Sequence, residues 1–228
     1  MGQRPRVLVR GYPHHVVQRG HDRNAVFIET ADYEIYLANL IRWKSHYNVG
    51  VYAYCLMTNH VHLVLVPHSD GNDISGLMHR LAARQGRRVN RIEQRIGTLW
   101  SGRFKSSIID TDKYLLSCLR YVELNPVHAC MVKQPEHYRW SSYAQRLGLS
   151  DENWLDPDPV TSALGPTTAE SQRAYAKFVR AGISAAERRF IHDAVSRNQL
   201  TGDAAFVDEI ERRTGLRVES RRRGRPKK

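Results

Sequence analysis

Cysteine, acidic residues and long apolar runs are all scarce in this chain, and each scarcity argues against a class of protein. The three cysteines, Cys55, Cys118 and Cys130, are odd in number and show no Cys-x-x-Cys spacing. That count speaks against a disulfide framework and against a zinc ribbon. Cys55 and Cys118 instead sit in apolar runs, where cysteine acts as a small hydrophobe. No run approaches the length of a membrane span, and the N-terminus lacks the apolar segment of a secretory signal. A cytoplasmic, nucleoid-associated protein without a membrane partner is therefore expected. Asp and Glu number 23 against 35 Lys and Arg, leaving a formal charge of +12 and a pI near 9.9. So much uncompensated positive charge favours a polyanion, and nucleic acid comes first. An anionic membrane surface would need a basic amphipathic segment with an aromatic and leucine face, and none is evident.

What is present is pattern. The 228 residues, 41% of them hydrophobic, suffice for one ordinary domain and a smaller appendage. The central stretch is Met57-Thr58-Asn59-His60-Val61-His62-Leu63-Val64-Leu65-Val66. It alternates like a strand with one buried face, so His60 and His62 point to the same side. Two imidazoles separated by one hydrophobic residue can converge on a divalent cation, although an isolated pair of this kind is more often structural. His14 and His15 lie on an earlier predicted strand, where one could be near the site, and are more often structural in such a place.

Around that stretch the elements fall in order. A first strand carries His15-Val16-Val17 and breaks at Arg19-Gly20-His21-Asp22-Arg23, which reads equally as a phosphate-binding turn and as a solvated one. Helical spacing of Tyr33, Tyr36, Leu37, Leu40 and Ile41 predicts a helix from Thr30 to Tyr47, capped by Thr30 or Asp32. A strand over Asn48 to Met57 turns at Thr58-Asn59 into the histidine strand. A second helix is predicted from Ile74 to about Ile96, buried on Leu77, Met78, Leu81 and Val89. Its outer surface carries Arg80, Arg84, Arg87, Arg88, Arg91 and Arg95 with almost no acidic partner at i+4, as expected of a nucleic-acid-facing surface. A strand through Ser106 to Ile109 follows, with Arg103 and Lys105 on one face. A third helix from about Asp112 should end at Asn125, because proline disfavours helical backbone in the residue before it.

The order strand, helix, strand, strand, helix, strand is the split arrangement of ferredoxin-like α+β folds. It implies an antiparallel sheet with two helices on one face, an added helix, and an open face on which the histidine strand can present a metal. Residues 1–149 form the expected catalytic domain. A Pro-, Asp- and Ser-rich stretch, 150–166, reads as a linker. Residues 167–215 read as a small helical region, with helices near 168–181, 185–197 and 203–213, and 216–228 as a basic tail without fixed structure. Its Arg-Gly-Arg-Pro core, with Arg223 and Arg225, is the pattern of minor-groove arms and equally of a nonspecific electrostatic tail.

Tyr121 and Asn125 are i and i+4 on the third helix and share a face. A phenolate attacking a phosphodiester conserves bond energy in a phosphotyrosine, so a later hydroxyl can reverse the step.

These segments resemble a known group. Asn59-His60-Val61-His62 resembles the His-hydrophobic-His signature of HUH endonucleases. Gly97-Thr98-Leu99-Trp100-Ser101-Gly102-Arg103-Phe104 and Arg120-Tyr121-Val122-Glu123-Leu124-Asn125-Pro126-Val127 resemble the single-tyrosine transposases, in particular the REP-associated tyrosine transposases of bacteria. The resemblance covers roughly His14 to Tyr143. It implies a ferredoxin-like nuclease that binds single-stranded DNA bearing palindromic, REP-like hairpins, then cleaves and rejoins it. Tyr121 would form a 5′-phosphotyrosine and release a 3′-hydroxyl, and His60, His62 and Asn125 would hold Mg²⁺ or Mn²⁺. Arg19, Arg23, Arg80, Arg84, Arg87, Arg88, Arg103 and Lys105 are candidate DNA contacts. The chain would act as a monomer or a homodimer, with the site completed in one chain or by helix exchange. The alternative is a catalytically silent binder of hairpin DNA or RNA. A replication initiator or relaxase would use the same chemistry, but the short chain and lack of a helicase argue against it.

Overall fold

The computed structural model describes residues 6–69 and 73–218; Arg223 and Arg225 lie outside them. Strands β1 (His14–Arg19), β2 (Val49–Met57), β3 (His60–Pro67) and β4 (Lys105–Ile108) form one antiparallel sheet in the order β2-β3-β1-β4. Helix α1 (Thr30–His46) joins β1 to β2, and α2 (Asp73–Ile92) joins β3 to β4, giving the ferredoxin-like topology expected. The two-residue period of β3 sends Val61, Leu63 and Leu65 into a core shared with Val16, Tyr36, Leu40, Leu77 and Leu81. His60, His62 and Val64 therefore face the other way. Register places Val17 and Cys55 beside His62, and Arg19 and Met57 beside His60.

Three local expectations are corrected. Helix α1 is capped from Glu29, not from Thr30 or Asp32; Asp32 sits in the first turn, and its Oδ2 accepts from the backbone N–H groups of Ile28 and Glu29 at 2.7 and 3.0 Å. Helix α2 stops at Ile92, and its Arg88, expected on a surface without acidic partners, is paired with Asp32 and Glu29 of the α1 start, so that guanidinium ties two helices together. Helix α3 (Thr111–His128) runs through Pro126. Proline has no N–H for the carbonyl four residues back, but Asn125 Nδ2 donates to Val122 O at 3.2 Å and to Tyr121 O at 3.0 Å. The amide thus supplies the donor that Pro126 lacks.

The sheet face expected to be open is roofed. Residues 118–124 of α3 are buried all round the helix, as a helix must be when it has partners on two sides. After α3 come two short helices, α4 (Tyr143–Arg146) and α5 (Pro159–Ser162). In α3, Leu115, Cys118, Leu119 and Val122 pack with Ala53, Cys55 and Val64 of the sheet, and with Tyr175 of α6 (Thr168–Arg180) and Ile191 of α7 (Ala185–Ser196). Thr167 caps α6, and Ser184 caps α7, through side-chain oxygens that accept from Glu170 N and Glu187 N. Buried Glu123 points outward to this layer, accepting from Ser142 Oγ at 2.6 Å, Arg146 Nε at 3.1 Å and Tyr175 OH at 2.7 Å.

Both sheet edges are covered, which removes unpaired strand edges. On the β2 side, part of the stretch read as a linker is fixed in place. Asp156 accepts from Val51 N at 2.6 Å and pairs with Lys44 at 2.7 Å, while Trp154 stacks on Tyr54. On the β4 side, Thr201 N donates to Ile108 O at 2.8 Å and Asp110 N to Thr201 O at 2.9 Å. Helix α8 (Ala204–Thr214) follows, burying Phe206, Val207 and Ile210 against Ile108 and Val9.

Candidate active site

Strand β3 and helix α3 face each other across a cavity of about 410 Å³. His60 and His62 line its floor and Tyr121 and Asn125 its roof; Arg19, Arg103 and Lys105 make a basic wall. Helix α7 lines a further part of it with His192, Val195 and Ser196, and Lys105 Nζ donates to the Ser196 carbonyl.

The rings are in contact. The His60 and His62 centroids are 4.9 Å apart, and Tyr121 lies edge-on to His62 at 5.9 Å and to His15 at 5.5 Å. Tyrosine and histidine pair therefore meet within one chain. Each histidine is held by a neighbour. His60 Nδ1 lies 2.6 Å from Asn59 Oδ1, and the orientation of that amide is set because its nitrogen donates to Arg23 O at 3.0 Å. An amide oxygen only accepts, so His60 carries its proton on Nδ1 and leaves Nε2 as a lone pair. His62 Nδ1 is 2.9 Å from His15 Nε2.

Burial dominates the electrostatics. It lowers His60 to about 4, with the Arg19 charge adding to it, and His15 to about 3. His62 is held well below the ordinary histidine value, first by burial and then by the charges of His60, His15, Arg19 and His192. All three imidazoles are neutral at physiological pH, the form that binds metal. Burial also pushes the Tyr121 phenol up to about 12, with Cys118 adding and Arg188 and Arg19 opposing.

Among the described residues no group of three or more His, Cys, Asp or Glu is placed to hold a metal ion. The available donors are two imidazoles and the Oδ1 of Asn125, whose nitrogen is committed to its own helix. The amide oxygen and water, with room for them in the cavity, suit Mg²⁺ or Mn²⁺, whereas the two imidazole nitrogens favour softer divalent ions, so of the two Mn²⁺ is the better match. The residues present fit such an ion.

The cavity gathers seven of the candidate residues: Arg19, His60, His62, Arg103, Lys105, Tyr121 and Asn125. Arg103 precedes β4 instead of sharing a strand face with Lys105. The others lie elsewhere. Arg87 lines an adjoining groove of about 690 Å³ between α2 and the 97–104 loop, which Gly102 and Arg103 share with the cavity. Arg80 and Arg84 lie over Trp43, at 4.3 and 5.7 Å from its ring centre. Arg23 is exposed in the turn after β1. That turn offers no free amides at its start, since Gly20 N donates to Asn59 O and His21 N to Leu99 O. Gly20 is required there: a Cβ would come within 2.3 Å of Asn24 O. Sequence reasoning missed His15 as a site residue, along with His192 and Ser196. The two-residue period on β1 was a signal for His15; α7 carries none for His192.

A ferredoxin-like sheet whose histidine pair shares a basic cavity with a helical tyrosine, in a chain that a transposase family model matches, marks a DNA-processing protein of the transposase class. The model of the family described as IS200-like transposases matches residues 9–125, more than half of the sequence, and the chain belongs to that family. A Haemophilus influenzae protein named for the REP-associated tyrosine transposases is 27% identical over 121 residues, spanning 48% of this chain and 69% of that protein. The solved structure of a REP-associated tyrosine transposase bound to a REP hairpin shares the fold, with a TM-score of 0.57 at 16% identity, over 69% of this chain and 98% of the other. The family match ends at Asn125, short of α7.

Proposed function

We propose that this protein binds single-stranded DNA carrying palindromic, REP-like hairpins, and that it cleaves and rejoins the strand through a 5′-phosphotyrosine. The observation that carries the reading is the shared cavity: Tyr121, His60, His62 and Asn125 line one space walled by Arg19, Arg103 and Lys105. In the forward step the Tyr121 phenol loses its proton and its oxygen bonds to phosphorus. The P–O3′ bond breaks, and the leaving oxygen becomes a 3′-hydroxyl. Attack by a 3′-hydroxyl on the phosphotyrosine reverses the step and restores a phosphodiester. His60 and His62, through Nε2, and Asn125, through Oδ1, would hold Mg²⁺ or Mn²⁺. A divalent ion there supplies Lewis-acid stabilisation of charge on the phosphate oxygens. The basic wall positions the phosphate without reading sequence.

Two observations speak for the second reading, a catalytically silent hairpin binder: burial raises the Tyr121 phenol, and residues of α7 line the cavity beside it. One experiment separates the two readings. Incubation of a labelled hairpin strand with the protein and Mn²⁺ should leave label covalently on the protein. Hairpin binding without any adduct, at any metal concentration, would select the silent binder.

A further inference from the structure

His60 and His62 are held by different kinds of neighbour. Asn59 presents His60 with an oxygen that can only accept, which settles where the His60 proton sits. His62 Nδ1 meets another imidazole, His15 Nε2, at 2.9 Å, with the two rings stacked at 5.2 Å. An imidazole nitrogen can donate or accept, so the proton between them belongs to either ring. The two choices are not equivalent for the cavity. If His15 donates, His62 Nδ1 is the acceptor, and the neutral His62 ring carries its own proton on Nε2, where no cation can bind. If His62 donates, its Nε2 is a lone pair, and His15 carries its proton on Nδ1.

His15 is fully buried, and its Nδ1 has no hydrogen-bond partner among the described residues. Nothing on the far side of His15 therefore locks it into one form. His14, the adjacent buried histidine, is committed, with Nδ1 at 2.7 Å from Tyr12 O and Nε2 accepting from Val9 N at 3.2 Å. The contrast marks His15 as the one imidazole of the β1 pair whose tautomer answers to the cavity.

We propose that His15 is a positioning residue for the metal ligand His62: through Nε2 it accepts the His62 Nδ1 proton, fixing the ring orientation and the tautomer that frees Nε2. The inference rests on the reading that His60 and His62 hold a divalent cation. Each ring keeps one proton throughout, the His15 proton moving from Nε2 to Nδ1 as the His62 proton moves from Nε2 to Nδ1. Outer partners of metal-binding histidines commonly govern affinity by about 10- to 100-fold.

The test uses the full chain. Long-range ¹H–¹⁵N correlation of the histidine rings at saturating Mg²⁺ should show the proton on Nδ1 of both His62 and His15. Mn²⁺ titrations followed by the free-ion EPR signal should show affinity falling about 10-fold or more in His15→Leu. His15→Gln keeps an oxygen able to accept from His62 and should stay within about 3-fold of the parent. A His62 proton on Nε2 in the loaded protein would overturn the proposal, as would equal Mn²⁺ affinity in the parent and His15→Leu. The ring spectra come from the unsubstituted chain and decide the matter even where His15→Leu fails to fold. Mn²⁺ binding that is lost in His60→Ala but indifferent to His15→Leu refutes this inference alone; no Mn²⁺ binding by the parent refutes the underlying metal reading as well.

Discussion

Removing one oxygen atom separates chemistry from architecture in this protein. Tyr121 is 5% exposed, and its ring packs in T-shaped contact with His15 and His62. Its hydroxyl makes no hydrogen bond among the described residues, unlike Tyr138 and Tyr175, whose hydroxyls donate to Leu56 O and Glu123 at 2.7 Å. Deleting the hydroxyl of a bonded buried tyrosine costs about 1 kcal/mol. In Tyr121→Phe no such bond is lost, so stability at pH 7 should change by less than about 0.5 kcal/mol, or about 2 °C in Tm. Covalent adduct with a labelled hairpin should nevertheless fall below detection, with binding retained. The raised phenol pKa adds a signed consequence. An unfolded tyrosine ionises near 10 and the folded one near 12, so wild type loses stability as pH rises through that window, by up to about 1.4 kcal/mol per unit. The Phe variant lacks this contribution, while the other buried tyrosines keep theirs in both proteins, and it should be more stable than wild type at pH 11. Urea melts at pH 7 and pH 11 and a gel for the adduct read all three effects. A persistent adduct in Tyr121→Phe, or a loss above about 1.5 kcal/mol at pH 7, would refute the reasoning.

Glu123→Gln should destabilise by about 3 kcal/mol or more in urea melts, because it leaves the Arg146 guanidinium facing a neutral amide inside the protein; an unchanged midpoint would show that Asp158 alone suffices. Glu187→Ala removes the carboxylate whose two oxygens accept from Arg120 Nη2, at 2.9 and 2.7 Å, and should speed hydrogen exchange in α7 by about 10-fold or more while β3 amides keep their protection. Acid should weaken the fold between pH 6.5 and 4. His14 and His60, with pKa values lowered to about 4, stay neutral when folded but protonate near 6.5 when unfolded. The unfolded state then binds more protons, at up to about 1.4 kcal/mol per pH unit for each ring, and a flat urea midpoint across this range would contradict it. Arg103→Ala and Lys105→Ala should each reduce the salt slope of hairpin binding by about 0.7 if each neutralises one phosphate of a single strand; an unchanged slope would remove that residue from the contact surface.

Local periodicity alone established a good deal of this molecule. The order of strands and helices implied the ferredoxin-like sheet, a two-residue period put His60 and His62 on one face, and a helical period put Tyr121 and Asn125 on another. Such relations depend only on backbone geometry over a few residues, so they survive any packing. The tertiary structure decided everything that needed a partner far along the chain. Arg88 looked free in its own helix but meets Glu29 and Asp32 about sixty residues away. Pro126 looked like a stop, yet the helix continues, with the neighbouring Asn125 amide donating to the Val122 carbonyl. The 150–166 stretch has a linker's composition, but Asp156 and Trp154 fix it to β2. The roofing of the histidine face by α3 and α7, and the pairing of His15 with His62, follow from long-range burial. No spacing rule encodes such contacts, because the groups that satisfy them are brought together only when the chain closes on itself.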